Sequence, residues 1–231
     1  MKKVKIAVIG ANGYVGSHVC KEINKRNLHL IKVTRKDNYE NKILNSDYII
    51  HCANSGKRYF CNNNPEIDFN ETVIKTYNFI KLNKNKSKFI LISSLSARTQ
   101  LDTFYGINRR AAEMLINTKK FLIIRLGPIF GGGKNVGPLV DILNNKKVYI
   151  SSSTNSAYAN ISYYAKKIID LIDSKGIIEL GAKDYINLGS FKKMCNSKSK
   201  FLGKDDTQIP LSSQDDSPSV TEVYKYFKLK K

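Results

Sequence analysis

The sequence predicts an α/β protein built on a doubly wound parallel sheet. Three observations predict it: apolar runs at residues 4–9, 29–34, 48–53, 88–93 and 121–126, helical periodicity between most of them, and a glycine-spaced turn after the first run. Near-continuous hydrophobicity over strand length marks parallel strands covered on both faces, and the alternation with helices returns each strand in the same direction.

Taken in order, the first strand runs into glycines at 10, 13 and 16, and an amphipathic helix is expected over 15–26. Between the second run and the third only about a dozen residues remain, too few for a helix, a strand and another helix, so the crossover between the second and next strands is shortened. Helices are expected over 66–83 and 103–118. Beyond residue 127 the chain turns richer in glycine and serine, with a helix near 161–173, a short strand pair near 177–188 and a last helix near 219–228. Residues 1–130 thus read as a dinucleotide-binding core and 131–231 as a small substrate lobe laid over the strand ends, some of its elements returning to the sheet. Residues 203–218 read as a mobile loop.

Composition narrows the class. With 42% hydrophobic and 10% aromatic residues, the 231-residue chain suits one globular domain with an appended lobe. Met1-Lys2-Lys3 resembles a leader, but the apolar stretch that follows ends in a glycine turn after about six residues. No run reaches membrane-spanning length. Cys20, Cys52, Cys61 and Cys195 show no Cys-x-x-Cys spacing, which reads as free thiols in a reducing cytoplasm and no metal site. The net charge of +20 is spread as lysine over almost every segment. Its densest clusters, 81–88 and 192–204, lack interleaved aromatics for base stacking, so they read as solvated surface and not as a nucleic-acid or membrane site.

The glycines carry the first functional clue. Gly10 permits a tight turn, Gly13 a close backbone approach, and Gly16 close packing of helix on strand, so a pyrophosphate can rest on the helix N-terminus. Where an acidic residue would bond an adenosine ribose, about 20 residues on, the chain has Val33-Thr34-Arg35-Lys36. An arginine there clamps a 2′-phosphate, which favours NADP over NAD as the cofactor. The strand at 88–93 ends in Ser93-Ser94, and Tyr105 and Arg109 share one face of the helix that follows. A cation beneath a phenol stabilises the phenolate, and Tyr105 can exchange a proton with a carbonyl or carbinol while Ser94 bonds the same oxygen. Arg110 points about 100° round the helix and cannot replace Arg109. His51, inside an apolar strand, reads as a satisfied core histidine. Asp141 and Asp170 read as solvated helix residues. Tyr158, Tyr163 and Tyr164 suit either base stacking or partial burial. The 131–133 glycines with Lys134 form a loop that closes over phosphate or simply turns.

In these motifs the chain resembles the short-chain dehydrogenase/reductase superfamily, in its extended, sugar-nucleotide-modifying branch, with the Rossmann-like sheet that this implies. The three glycines match its glycine motif, and the segment from Asp47 to Asn54 is similar to the strand beside its cofactor. Thr72 stands where a helix motif usually has asparagine, ahead of Thr76 and Asn78. Ser93-Ser94 match the serine motif, Tyr105 to Arg109 match Tyr-x-x-x-Lys except for the cation, and Arg125 to Gly131 is similar to the segment flanking the nicotinamide. The resemblance implies Ser94, Tyr105 and Arg109 as catalytic. It implies cofactor contacts at Gly10, Asn12, Gly13, Tyr14, Val15, Gly16, Thr34, Arg35, Lys36, Cys52, Ala53, Asn54, Tyr105, Arg109, Gly127, Pro128 and Ile129. Arginine is bulkier and planar beside lysine, but retains the charge and can donate to two ribose hydroxyls. Dehydratases of the branch carry an acidic pair just after the catalytic hydroxyl, where this chain has Leu95 and Ser96. A reductase or epimerase of a nucleotide-linked sugar or related carbonyl compound is therefore expected. The competing reading is a non-catalytic NADP-binding redox sensor that contacts protein or RNA. A homodimer through the helices at 66–83 and 103–118 is a further expectation of the resemblance.

Overall fold

The computed structural model describes residues 4–37, 39–56, 58–84 and 86–229; the leader-like Met1-Lys2-Lys3 lies outside them. In chain order the elements begin β1 (Lys5–Ile9), α1 (Tyr14–Lys25), β2 (His29–Val33), α2 (Tyr39–Leu44), β3 (Tyr48–His51), α3 (Arg58–Asn63) and α4 (Pro65–Phe69). A π-helical turn, Asn70–Ile74, joins α4 to α5 (Lys75–Asn83), and β4 (Lys88–Ser94), α6 (Ser96–Thr99), α7 (Phe104–Met114) and β5 (Leu122–Leu126) follow. The remainder is β6 (Ile129–Phe130), α8 (Pro138–Leu143), β7 (Asn155–Ser156), β8 (Ala159–Asn160), α9 (Ile161–Asp170), β9 (Gly176–Leu180), β10 (Ile186–Asn187), α10 (Leu188–Met194) and α11 (Thr221–Tyr226).

Six strands form the main sheet in the order β2-β1-β3-β4-β5-β9, with β1 parallel to β2 and β3, and β3 parallel to β4. It is the expected Rossmann-like α/β fold. Every residue of β5 is buried, as are all but the two ends of β4, whereas edge strand β2 buries only Val33 fully. That gradient explains the near-continuous apolar runs in the central strands. The shortened crossover is one six-residue helix, α2, which carries the chain from β2 past β1 to β3. Strand order therefore reverses at β1, and the crevice at the carboxyl ends of β1 and β3 is where such sheets bind ligands. Register aligns Ile9 with both Val33 and His51, so Gly10, Thr34 and Cys52 emerge level.

Contacts divide the chain into two compact units: residues 1–125 with 165–178, and residues 126–164 with 179–231. The first encloses a core that includes Ile49, Phe89, Leu91 and Ile123; the second encloses one built on Leu139, Ile142, Tyr158, Leu188 and Phe191. The expected strand pair near 177–188 is not a hairpin. β9 joins the main sheet, while β10 pairs antiparallel with β7, because a two-residue strand takes its partner from tertiary contacts. The helices near 161–173 and 219–228 are shorter than expected, at Ile161–Asp170 and Thr221–Tyr226. Among the described residues no helix is long and apolar enough to cross a membrane.

Candidate active site

The glycine turn closes as its residue types demand. Gly10 has φ +82°, and its N–H donates to the Val33 carbonyl at 3.0 Å. A Cβ on Gly10 would lie 2.9 Å from the Ala53 backbone, and one on Gly16 2.2 Å from the Gly10 carbonyl oxygen. Gly13, whose N–H donates to that same oxygen at 2.9 Å, adopts extended backbone as the N-cap of α1. No side chain caps α1 and no carboxylate sits in its first turn, so the positive end of its dipole has no partner within that turn. Asn12 and Gly13 are exposed there, Tyr14 and Val15 half-buried. At the end of β3, Asn54 donates to the Ile92 carbonyl at 2.8 Å, while its buried Oδ1 has no hydrogen-bond partner among the described residues. The tight glycine turn at the start of α1 and this orphaned acceptor fit a dinucleotide. Beside them, burial pushes the Cys52 thiol up.

Past β2, the side chain of Arg35 is 88% exposed and reaches Glu71 at 3.3 Å, and Lys36 is exposed. Sequence reasoning missed Asp37. Its carboxylate accepts from the backbone N–H and hydroxyl of Thr34, at 2.7 and 2.8 Å, and pairs with Lys42 at 2.6 Å. Lys42 and then Thr34 lower its pKa to about 2. The Asp37 carboxylate is thus engaged in capping its own turn.

At the end of β4, strand alternation sends the two serines opposite ways. Ser93 is buried and donates to Glu113 at 2.7 Å; Glu113 also holds Arg125 through two contacts of 2.9 and 2.7 Å. Ser94 is half-buried, its Oγ accepting from the Ser96 N–H at 3.2 Å. Leu95 and Ser96 are fully buried. Thr103 caps α7, accepting from the Gly106 N–H, and a Cβ at Gly106 would lie 2.0 Å from the Gln100 carbonyl oxygen. Only glycine lets the first turn of α7 approach that closely. The Tyr105 N–H donates to Asn62 at 3.0 Å, and the Arg109 guanidinium carbon lies 4.7 Å from the Tyr105 ring centroid, with that of Arg58 at 5.8 Å.

Arg109 is 3% exposed and turned inward. Nη2 donates to the Ser55 carbonyl and Nη1 to the Thr72 hydroxyl at 3.2 Å, with Asp68, wholly buried, 4.0 Å away. Asp68 accepts from Thr72 at 3.0 Å and from Asn108 at 2.9 Å. Arg110, by contrast, is half-exposed and reaches Glu113 at 3.4 Å. His51 is a core histidine: its Nδ1 accepts from the Ala53 N–H at 3.4 Å and its Nε2 donates to Thr76 at 3.1 Å, between the rings of Phe79 and Phe89. Burial first, then the charges of Arg109 and Lys75, push its pKa down to about 3. Asp68 and Glu113 carried no local signal, because their main partners lie on other elements.

In the second unit, the Gly127 N–H donates to Leu180, Pro128 accepts from Ala159 and from the Tyr164 hydroxyl, and Ile129 pairs with Ala159. Tyr158 and Tyr164 are buried, and Tyr163 contacts Ser217 at 3.1 Å. Gly131, Gly132 and Gly133 all have positive φ, and Lys134 reaches the Ile129 carbonyl at 3.4 Å. Asp141 is half-buried, its pKa raised by burial. In the first unit Asp170 pairs with Arg26 at 2.7 Å.

Fold and glycine turn together define a Rossmann-like α/β protein. Residues 6–116 match the model of the NAD dependent epimerase/dehydratase family. No curated protein matches the chain. Among solved structures it is similar to a dTDP-4-dehydrorhamnose reductase from Bacillus anthracis in complex with NADP, at 15% identity and TM-score 0.76 over 98% of this chain and 99% of that one. It is similar also to a dTDP-4-dehydrorhamnose reductase from Clostridium acetobutylicum, at 16% identity and TM-score 0.75 over 97% and 99%. MoeE5 in complex with UDP-glucose and NAD matches at 15% identity and TM-score 0.74 over 95% and 91%. At such identity these likenesses establish the fold.

Proposed function

We propose that the chain is an NADP(H)-dependent reductase of a carbonyl group on a nucleotide-linked sugar, with Tyr105 and Ser94 acting on the carbonyl oxygen. The observation that carries this is one run of contacts inside the first unit. Gly10 packs on Ala53, Ala53 leads to the orphaned Asn54 oxygen and to Ser55, Ser55 holds Arg109, and Arg109 lies against Tyr105. The glycine cradle and the phenol are thereby tied to one loop. Gly10, Gly13 and the first turn of α1 would hold the diphosphate, and Arg35 with Lys36 the 2′-phosphate. Bound there, a reduced nicotinamide supplies hydride to a carbonyl carbon. Tyr105 protonates the carbonyl oxygen, and the Ser94 hydroxyl donates to it and fixes its position. An epimerase would use the same residues; Arg35 favours reduction, since NADPH is the usual reductant. Elimination is disfavoured because Leu95 and Ser96 supply no acid.

The test is loss of reduced-nicotinamide absorbance over a panel of nucleotide-linked ketosugars. Tyr105→Phe is expected to lower turnover by about 10²–10⁴-fold and to retain NADPH binding. Undiminished turnover in that variant, or no calorimetric heat with NADPH or NADH, overturns the proposal. Tight NADPH binding without turnover on any ketosugar points instead to a redox sensor.

A further inference from the structure

We infer that Asp68 is a positioning residue for Tyr105, acting through Thr72 and Arg109. The inference deepens the functional reading above and rests on it.

A guanidinium that is 3% exposed has lost its hydration and needs a compensating charge. Asp68, 0% exposed, is that charge, although no direct hydrogen bond joins them: the closest approach is 4.0 Å. Thr72 bridges the gap. Its single proton goes to Asp68 Oδ1 at 3.0 Å, and its oxygen accepts from Arg109 Nη1 at 3.2 Å. A hydroxyl is the group that can do both at once. The second carboxylate oxygen takes the Asn108 amide at 2.9 Å, fixing the carboxylate to α7 one residue before Arg109.

The local backbone makes this arrangement. Asp68, Thr72 and Thr76 are all fully buried at four-residue spacings, and the π-helical turn Asn70–Ile74 falls among them. The Thr72 backbone carbonyl is itself occupied, accepting from Thr76 at 2.6 Å, and Thr76 is held by His51. Threonine 72 thus has little freedom. The planar fork of Arg109 is correspondingly fixed, one nitrogen on Thr72 and the other on Ser55, with its carbon 4.7 Å from the Tyr105 ring centroid. A guanidinium so placed sets the ring by cation–π attraction and ties the 53–55 loop to α7. Removing the Asp68 charge leaves the fork without its counter-ion and frees it to swing, and the ring with it.

The experiment compares Asp68→Asn, Thr72→Val, Arg109→Met and the Asp68→Asn/Arg109→Met double variant. Tyr105 is read by NMR of carbon-13-labelled tyrosine, its ring signal assigned by its loss in Tyr105→Phe. Asp68→Asn and Thr72→Val should move that signal in the direction Arg109→Met moves it. In turnover, Asp68→Asn should lower kcat by about tenfold or more, with KM for NADPH held within about twofold, and the double variant should be no slower than Arg109→Met. An unmoved Tyr105 signal in Asp68→Asn, or losses that multiply in the double variant, overturn the inference. If the wild type turns over no ketosugar, the functional reading fails while the NMR comparison still decides this one. If Asp68→Asn does not fold, Thr72→Val, which keeps size and burial, decides it alone.

Discussion

Gly16→Ala tests the cofactor cradle with one methyl group. The added Cβ would sit 2.2 Å from the Gly10 carbonyl oxygen and 2.9 Å from its carbon. Both are backbone atoms of a turn pinned by hydrogen bonds to Val33 and Gly13, so no flexible side-chain end can yield. Contact distance requires the helix start and the turn to separate by roughly 1 Å. Overpacking of this kind costs about 1–3 kcal/mol, or about 2–4 °C of Tm per kcal/mol in a chain this long. Gly13→Ala provides the internal control: its Cβ would stand 3.1 Å from the same oxygen, a strain of only a few tenths of an ångström. Displacing the first turn of α1 also displaces the N–H groups proposed to hold the diphosphate, and a misplacement of 1 Å costs about 10²-fold in a positioned site. Scanning calorimetry and NADPH titration should therefore rank Gly16→Ala well below Gly13→Ala in Tm and in affinity. Wild-type Tm and NADPH Kd in Gly16→Ala would refute the reasoning.

Four other outcomes are expected. His51 has a folded-state pKa of about 3 against an ordinary 6.5, so its stabilising share is present above pH 6.5 and is lost as pH falls from there towards 3. Urea unfolding should show the loss at about 1.4 kcal/mol per pH unit, and His51→Gln should flatten it; equal slopes would contradict the assignment. Ser94→Ala should lower kcat with Tm intact, whereas Ser93→Ala should leave kcat and cost about 1–3 kcal/mol by stripping Glu113 of a donor, with the reverse pattern exchanging the two roles. Arg35→Ala should weaken NADPH binding about 10–100-fold and leave NADH unchanged, measured by calorimetry; equal losses for both would remove Arg35 from the 2′-phosphate site. A homodimer through the helices at 66–83 and 103–118, supported by exposed Phe69, Tyr77, Ile107 and Met114, should sediment as such and become monomeric in Ile107→Glu, whereas a monomeric wild type at micromolar concentration would count against it.

What could be read from the chain alone follows the range of the forces involved. Gly10 and Gly16 announce themselves because a positive φ and an excluded Cβ act on the residue type directly. β4 and β5 do so because burial on both faces favours apolar residues, the buried Ser93 and Arg125 being held by Glu113. Tyr105 and Arg109 were found by helical spacing, but the direction in which Arg109 points was not. That direction is set by Ser55, Thr72 and Asp68, which lie 37 to 54 residues earlier in the chain and on other elements. Asp68 looks in sequence like any acid near a helix start. Asp37 escaped notice for the opposite reason: its carboxylate folds back on Thr34, three residues away, and so caps a turn where an outward-pointing acid was sought. The glycine cradle and the strand ends are local consequences of the backbone, whereas the groups that orient Tyr105 come together only when the sheet brings α4, the π-helical turn and α7 to one place. Substitutions at Gly16 should therefore act on NADPH binding and stability together, and substitutions at Asp68 on turnover and stability with NADPH binding kept. A loss of NADPH affinity in Asp68→Asn as large as that in Gly16→Ala would mean that the two sets of residues form a single unit.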